Sequence, residues 1–328
     1  MTEEEKPLTR EEVLKLIEEH GGPEGLDLSG AVLEPGIDLS NMNLCGIILD
    51  NAKLWGAKLQ RSNLQERASL QGADLSGADL EGAYLLYANL NEANLGKAKL
   101  RGANLYNAQL QKVDLWAADL TYTELVDADL EGVNLRGAEL VNTYMSGANL
   151  SNAYLNGADL SKVSDLAGIK WGNKYMVGEE TIEHFTVAAG VYRNLKKWHT
   201  DAGIYDIAGK FHFREMEAKR KAQEWGSEPH LKLWAWALRL LCGYGEKPER
   251  VVASATGVVL VMAGIYSVSA LTFLNSLYYS AVSFTALGYG FGVSTSEGWV
   301  KGLGAFEAFI GVFMMALFLI TFVRKMVR

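Results

Sequence analysis

The residues of this 328-residue chain whose types and spacing could do chemistry lie close to its C-terminal end. There Thr285-Ala286-Leu287-Gly288-Tyr289-Gly290-Phe291 interrupts an apolar stretch. The chemistry on offer is that of the main chain. Successive carbonyls turned toward one axis can replace the water around a dehydrated cation. Such an alignment needs unusual backbone dihedrals, which Gly288 and Gly290 permit. At membrane depth, non-helical backbone is tolerated only where it lines a wet cavity. Gly243-Tyr244-Gly245 repeats the tripeptide without comparable flanks, so the flanks carry the reading.

Those flanks are two apolar runs. Val251 to Leu274 holds no charge over 24 residues, and Gly302 to Val323 holds one acid, Glu307, over 22. Either is long enough to cross a bilayer core as a helix. Between them, Asn275 to Thr285 reads as a short aromatic helix leading into the glycines. Span, short helix, Gly-Tyr-Gly and span together resemble the two-transmembrane potassium-channel pore family. The resemblance implies a homotetramer, a selectivity filter formed by Thr285, Ala286, Leu287, Gly288, Tyr289 and Gly290, and permeant K+ held by the carbonyls of Leu287, Gly288 and Tyr289. It implies no cofactor. Family members typically read Thr-Thr-Val-Gly-Tyr-Gly-Asp. Here Ala286 removes a hydroxyl from the innermost ion site, Leu287 keeps the carbonyl of the usual valine, and Phe291 replaces an aspartate that ties the outer mouth to the pore helix. Potassium conduction is the expectation, and a poorly selective cation channel is the alternative.

Four further positions belong to the same unit. Tyr278 and Tyr279 stand where the family places filter-bracing aromatics, or they are ordinary interfacial aromatics. Gly311 lies where an inner-helix hinge is expected, or it serves close helix packing. Glu307, alone among apolar residues, is a functional or buried-pair candidate that could hydrogen-bond behind the filter. Its partner is not legible.

Charge is segregated along the chain. Residues 1–165 contain 26 acids and 13 bases, 166–250 contain 11 and 14, and 251–328 contain 2 and 4. An acidic body, a mildly basic collar and a nearly uncharged remainder suggest a soluble domain tethered to a membrane. Met1 is followed by Thr-Glu-Glu-Glu-Lys, which is no cleavable signal. Arg239, Lys247 and Arg250 precede the first span and Arg324, Lys325 and Arg328 follow the second, against Lys301 on the hairpin side. The positive-inside rule then places both termini in the cytoplasm, and a bacterial inner membrane is the expected location. Cys45 and Cys242 form no metal or disulfide spacing, and His184, His199, His212 and His230 are scattered without ligand spacing.

The acidic body is a five-residue repeat. Its central apolar residue falls at Leu28 and Leu33, at every fifth position from Leu39 to Leu64, and again from Leu70 to Leu160, for 27 repeats. In the last block the residue two before each centre is alanine except at Val113, Thr123, Val133 and Thr143. A period of five fits neither helix nor flat strand, so it marks a solenoid. The pattern resembles the pentapeptide-repeat family throughout 28–160. That likeness implies a right-handed quadrilateral β-helix with four pentapeptides per coil, leucine on the axis and alanine at the corners. The valine pair and the threonine pair are each spaced by twenty, which would stack each pair on one face. The six-residue step at Leu64–Leu70 and Pro35-Gly36 read as local breaks. The recurring Asp and Asn suit the coil geometry and are not read as metal ligands. Acidity keeps DNA mimicry in view as a minor reading, but nucleic acid is not expected as a partner.

Around the solenoid, residues 1–27 hold a capping helix: Thr9 and Glu12 form a capping-box spacing ahead of Val13, Leu14, Leu16 and Ile17, with Gly21 ending it. Residues 166–246 read as an α-helical linker, with stripes through Phe185, Ala188, Ala189, Tyr192 and Leu195, and through Tyr205, Ala208, Phe211, Met216 and Ala218. Lys219-Arg220-Lys221 reads as a solvated or headgroup-facing cluster. Within 229–242, Leu231, Trp234, Leu238 and Leu241 share a face, as in an interfacial helix, or in a packed linker helix. The expected architecture is therefore multidomain: capping helix 1–27, β-solenoid 28–165, helical linker 166–246 and a two-span pore domain 247–328. No enzyme chemistry is visible. The expected partners are further copies of the chain, membrane lipids and a cytoplasmic protein bound on the solenoid, with a membrane-anchored scaffold as the alternative function.

Overall fold

The computed structural model describes residues 6–222, 229–268, 272–285 and 298–326. They fall into two compact units, Met1–Ala222 and Gln223–Arg328.

The first unit opens with Leu8, which bridges Leu33 in parallel and donates its N–H to the Val32 carbonyl at 2.8 Å. Helix α1 (Arg10–His20) follows. The Glu12 N–H donates to Thr9 Oγ1 at 3.2 Å, and the Thr9 N–H donates to Glu12 Oε2 at 2.8 Å, so the capping box is complete. Gly21 ends the helix at φ 85. Val13 is buried in the solenoid core, with Leu16 and Ile17 packed against it, so α1 closes the first coil.

The repeats then stack in register. Asp74 bridges Asn94, Asn94 bridges Asp114, and Asp114 bridges Asn134, all in parallel and each step 20 residues. One coil is therefore four pentapeptides. The axial leucines from Leu39 to Leu160 and the small residues from Ala52 onward are essentially solvent-free. Between repeats the chain turns tightly. The Ala78 N–H, for instance, donates to the Leu75 carbonyl at 2.9 Å, with Gly77 at φ 66, the pattern of a type II turn. Asp and Asn recur for a local reason. Asp74 Oδ1 accepts the Ser76 N–H, and Asp114 Oδ1 accepts the Trp116 N–H at 2.9 Å, which satisfies a turn donor that would otherwise need water. They also form ladders between coils, as where Asn134 Nδ2 donates to Asp114 Oδ1 at 2.8 Å.

The sequence breaks are absorbed within single coils. Bridges spanning the Leu64–Leu70 step join residues 21 apart (Ile48 to Ser69, Lys53 to Asp74), while Asn43–Asn63 before it and Ser69–Asn89 after it keep the spacing of 20. The extra residue is taken up at Glu66 and Arg67, both left-handed at φ 55 and φ 69. Among the small-residue exceptions, Val113, Val133, Thr123 and Thr143 are all buried. The threonine hydroxyls donate to the Leu100 and Leu120 carbonyls at 2.7 and 2.8 Å, each one coil back.

The far end of the solenoid is closed by a glutamate and a helical hairpin. Helices α2 (Phe185–Asp201) and α3 (Tyr205–Ala222) share the solenoid's core through Ala188, Tyr192, Leu195 and Phe211, with Trp171 edge-on to Phe211 at 5.0 Å. Where the next coil would pair, Glu179 Oε1 accepts the Leu155 and Asn156 N–H groups at 2.8 and 2.9 Å. Arg136 Nε lies 3.6 Å from the same oxygen. Beside it the buried Glu180 accepts from Tyr192 Oη at 2.5 Å and from Lys221 Nζ at 2.8 Å.

The Lys219-Arg220-Lys221 cluster is solvated at Lys219 and Lys221, as expected, but all three side chains are also engaged by acids. Lys219 reaches Glu215 at 2.6 Å, Arg220 reaches Glu217 at 3.2 Å and Lys221 reaches Glu180. Helical spacing brings Lys219 and Arg220 back onto acids three and four residues earlier, and buried acids require such partners. Glu215 also takes Lys196 at 2.7 Å. Burial by itself would raise its pKa, but the hydrogen bonds from Lys196 and Lys219 outweigh it and bring it down to about 2. His199 is buried among Trp171 and Phe211 with Nδ1 on the Leu195 carbonyl, and burial lowers its pKa.

The 166–246 stretch, read from sequence as one linker, is divided between the units: 166–222 lies with the solenoid, and helix α4 (Pro229–Cys242) lies in the second unit. On α4 the expected common face is split. Leu238 and Leu241 pack toward Val251 and Met314, while Leu231 and Trp234 are exposed with Leu233, Trp236 and Leu240. A short turn, Gly243–Gly245, with Tyr244 left-handed at φ 58, leads into α5 (Pro248–Ser267), which begins with proline where its missing N–H costs nothing. Helix α6 is Phe273–Thr285 and α7 is Gly298–Met326.

Both α5 and α7 are long and apolar enough to cross a membrane. The first span is shorter than its apolar run: α5 stops at Ser267, and α6 starts at Phe273 rather than Asn275. Twenty residues already reach about 30 Å. Thr272 then begins the next helix, its carbonyl accepting the Ser276 N–H at 2.9 Å and its hydroxyl accepting the Asn275 N–H at 3.4 Å.

Candidate pore site

Of the expected filter, Thr285 is described, as the last residue of α6, with Oγ1 donating back to the Ala281 carbonyl at 2.8 Å. Ala286, Leu287, Gly288, Tyr289, Gly290 and Phe291 lie outside the described residues. What the structure defines is the seat of α6 between α5 and α7.

One side of that seat is a seam of small residues on α7. A Cβ on Gly304 would stand 2.8 Å from Tyr279 Oη, and a Cβ on Gly311 would run into the Phe284 carbonyl oxygen. At Gly311 only glycine lets the α6 backbone come so near. Gly311 thus has a packing role, and α7 runs as one helix through it. Glu307 lies between the two glycines on the same face, at helical spacings of three and four.

Glu307 is wholly buried, and its partners are now defined. Tyr266 Oη on α5 donates to Oε2 at 2.8 Å, and Ser280 Oγ on α6 contacts Oε1. Ser280 Oγ also lies 2.9 Å from the Val259 carbonyl oxygen of α5. One carboxyl group therefore joins all three helices. The tyrosine pair divides: Tyr279 is 4% exposed and edge-on to Tyr266 at 5.0 Å, whereas Tyr278 is 55% exposed. Tyr266 and Ser280 carried no sequence signal of their own. A tyrosine near the end of a span reads as an interfacial anchor, and α6 offers several serines.

Elsewhere the unit is left apolar and open. A groove of about 570 Å³ runs past Val252, Val259, Leu260, Leu277, Met315 and Leu319. Leu274 is 75% and Phe309 74% exposed.

Known families match the chain in two separate parts. The family model for pentapeptide repeats matches in 8 copies, over 27–65, 66–102, 88–122, 98–137 and 128–164, and the ion-channel family model matches 251–328. The chain is a pentapeptide-repeat protein that carries a two-transmembrane-type ion-channel domain. Among solved structures it is similar to HetL, a pentapeptide repeat protein of the cyanobacterium Nostoc sp. strain PCC 7120 (34% identity over 45% of this chain and 73% of that one, TM-score 0.28). It is also similar to a pentapeptide repeat protein of the Arabidopsis thaliana thylakoid lumen (29%, over 32% and 66%, TM-score 0.20) and to the fluoroquinolone resistance protein QnrB1 (21%, over 50% and 92%, TM-score 0.30). No curated protein sequence matches the chain.

Proposed function

We propose that four copies of this chain form a potassium-conducting cation channel in a bacterial inner membrane, with both termini cytoplasmic. The observation that carries this reading is the seat of α6. It is pinned between two span-length helices by Glu307 and ends at Thr285, immediately ahead of Ala286-Leu287-Gly288-Tyr289-Gly290. The carbonyls of Leu287, Gly288 and Tyr289 then replace water around K+, and no cofactor takes part. One chain supplies one wall of such a cage, and the open apolar groove and exposed Phe309 offer surface for neighbouring copies and lipid. Tyr279 braces the pore helix from within the unit, Tyr278 and Phe291 shape the surroundings of the filter, and Gly311 combines close packing with an inner-helix bend on opening. Exposed Trp234 and Trp236 suit α4 to lipid headgroups.

The solenoid reads as a right-handed quadrilateral β-helix, which four turns per 20-residue coil support. Its role is regulatory or scaffolding, through a cytoplasmic protein and not through nucleic acid or catalysis. Tyr84, Tyr122 and Tyr144, exposed together with Tyr87 and Trp116, offer it aromatic contact surface.

Flux of purified protein in liposomes under K+ and Na+ gradients tests the reading. K+ flux from a four-fold assembly supports it; a monomer or dimer in mild detergent, or silent liposomes, leaves a membrane-anchored scaffold. Comparable Na+ flux selects the poorly selective channel, which Ala286 and Phe291 favour.

A further inference from the structure

The buried cluster at Glu307 contains a proton count that does not balance if every group takes its ordinary charge. Ser280 Oγ makes two contacts with oxygens that can accept: the Val259 carbonyl at 2.9 Å and Glu307 Oε1. A serine hydroxyl has one proton to give. A carbonyl has none, so an ionised Glu307 would leave one of the two contacts as lone pair against lone pair. If Glu307 carries a proton on Oε1, all three contacts are satisfied at once. Glu307 then donates to Ser280, Ser280 donates to Val259, and Tyr266 donates to Oε2. Glu307 makes no ion pair among the described residues, and its side chain is wholly buried. Among the described residues, the groups facing it are a phenol from α5 (Tyr266), which lies edge-on to a phenol from α6 (Tyr279), and the hydroxyl of Ser280. On α7 itself the nearest charged side chain in sequence is Lys301, which is exposed.

We propose that Glu307 is held in its protonated form and acts as a positioning residue, its proton locking the pore helix α6 to both spans. Loss of the proton breaks the relay to Val259 and puts a charge among apolar helices, so α6 loses its seat and conduction falls. The proposal rests on the channel reading above for its effect on flux, while the protonation itself does not.

The test uses the full-length protein in liposomes, with K+ flux measured from about pH 6 to about pH 9.5, a range in which buried glutamates are known to titrate. Wild-type flux should fall by roughly tenfold or more toward the alkaline end, as a group losing its proton over more than one pH unit requires. Glu307→Gln keeps a donor for Ser280 and an acceptor for Tyr266, so its flux should persist with a flat profile. A wild-type profile that is flat, or a Glu307→Gln profile that falls in parallel with it, overturns the lock. A second measurement stands apart from conduction. Infrared spectra of the reconstituted wild type at neutral pH should contain the carbonyl stretch of a protonated carboxylic acid. Its absence overturns the proposal even if flux is normal. Its presence in liposomes silent at every pH would keep the protonated Glu307 and reject the channel.

Discussion

The solenoid and the three-helix cluster around Glu307 satisfy their polar groups in opposite ways. In the solenoid each bridging residue meets its counterpart one coil away, and the contact recurs from Asp74 through Asn94 and Asp114 to Asn134. In the second unit Glu307 depends on Tyr266 and Ser280, 41 and 27 residues away, and the contact occurs once. Redundancy makes the rod tolerant at its surface but uniform in its core, where no position has room to spare. Singularity makes the pore unit sensitive at a few residues and tolerant on the broad apolar faces around them.

That contrast is sharpest for a mid-rod axial leucine. Leu110 is 1% exposed, and Leu110→Asp would put a carboxylate in the axis without a partner, at a cost of about 4 kcal/mol or more. Hydrogen exchange on the full chain should show lost protection in the coils on either side while the second unit stays protected. Unchanged exchange there would mean that the axis is not the core. In the pore unit, Gly311→Val should be nearly as damaging, about 3 kcal/mol, because the clash is with the Phe284 backbone, which cannot rotate away. K+ flux should drop to background with expression retained. Normal flux would show that α6 does not sit on α7 in the working channel.

How much of this was legible in sequence follows the same division. The coil period, the axial leucines, the stacked Val113–Val133 and Thr123–Thr143 pairs and the α1 capping box could be read because each rests on contacts at a fixed separation. Span and short-helix positions could be read from hydrophobicity, although α5 ended seven residues before the apolar run did, since apolarity does not mark where Thr272 restarts a helix. The Glu307 partners, the Glu179 cap on Leu155 and Asn156 and the engagement of Lys221 with Glu180 could not. Each joins residues whose separation obeys no period, and each donor is one of many of its type.

The acids of the helical hairpin provide a graded test on the rod side. Glu215 is bound by Lys196 and Lys219, which hold its folded pKa at about 2, below the ordinary glutamate value of 4.5. A depressed carboxylate stabilises fully above its unfolded pKa and loses that contribution as pH falls through the folded one. The hairpin should therefore loosen between about pH 4.5 and about pH 2, by at most about 3 kcal/mol and less once solvent screening of the half-exposed lysines is counted. Fluorescence of Trp171 and Trp198 can follow this, and Glu215→Gln should remove the part of the transition that belongs to this site. An identical titration in the variant would assign the loosening to other carboxylates.

The smallest effect asks whether the rod's buried hydroxyls hold coils together or only fill space. Thr143 Oγ1 donates to the Leu120 carbonyl at 2.8 Å, but that carbonyl also accepts the Thr123 N–H at 3.0 Å. Removing the hydroxyl therefore leaves no orphaned acceptor, and valine already fills the same repeat position at 113 and 133. Thr143→Val should then change stability by no more than about 1 kcal/mol, since an unmade bond costs most when a buried partner is stranded. Thr143→Ser keeps the hydroxyl and deletes a methyl from a space too narrow to collapse, so it should cost about as much or more, near 1 kcal/mol. The order of the two variants in denaturant unfolding of the full chain decides the matter. If Thr143→Val is the worse by about 2 kcal/mol, the threonine pair is a specific inter-coil tie, and the rod contains singular contacts of the kind found at Glu307.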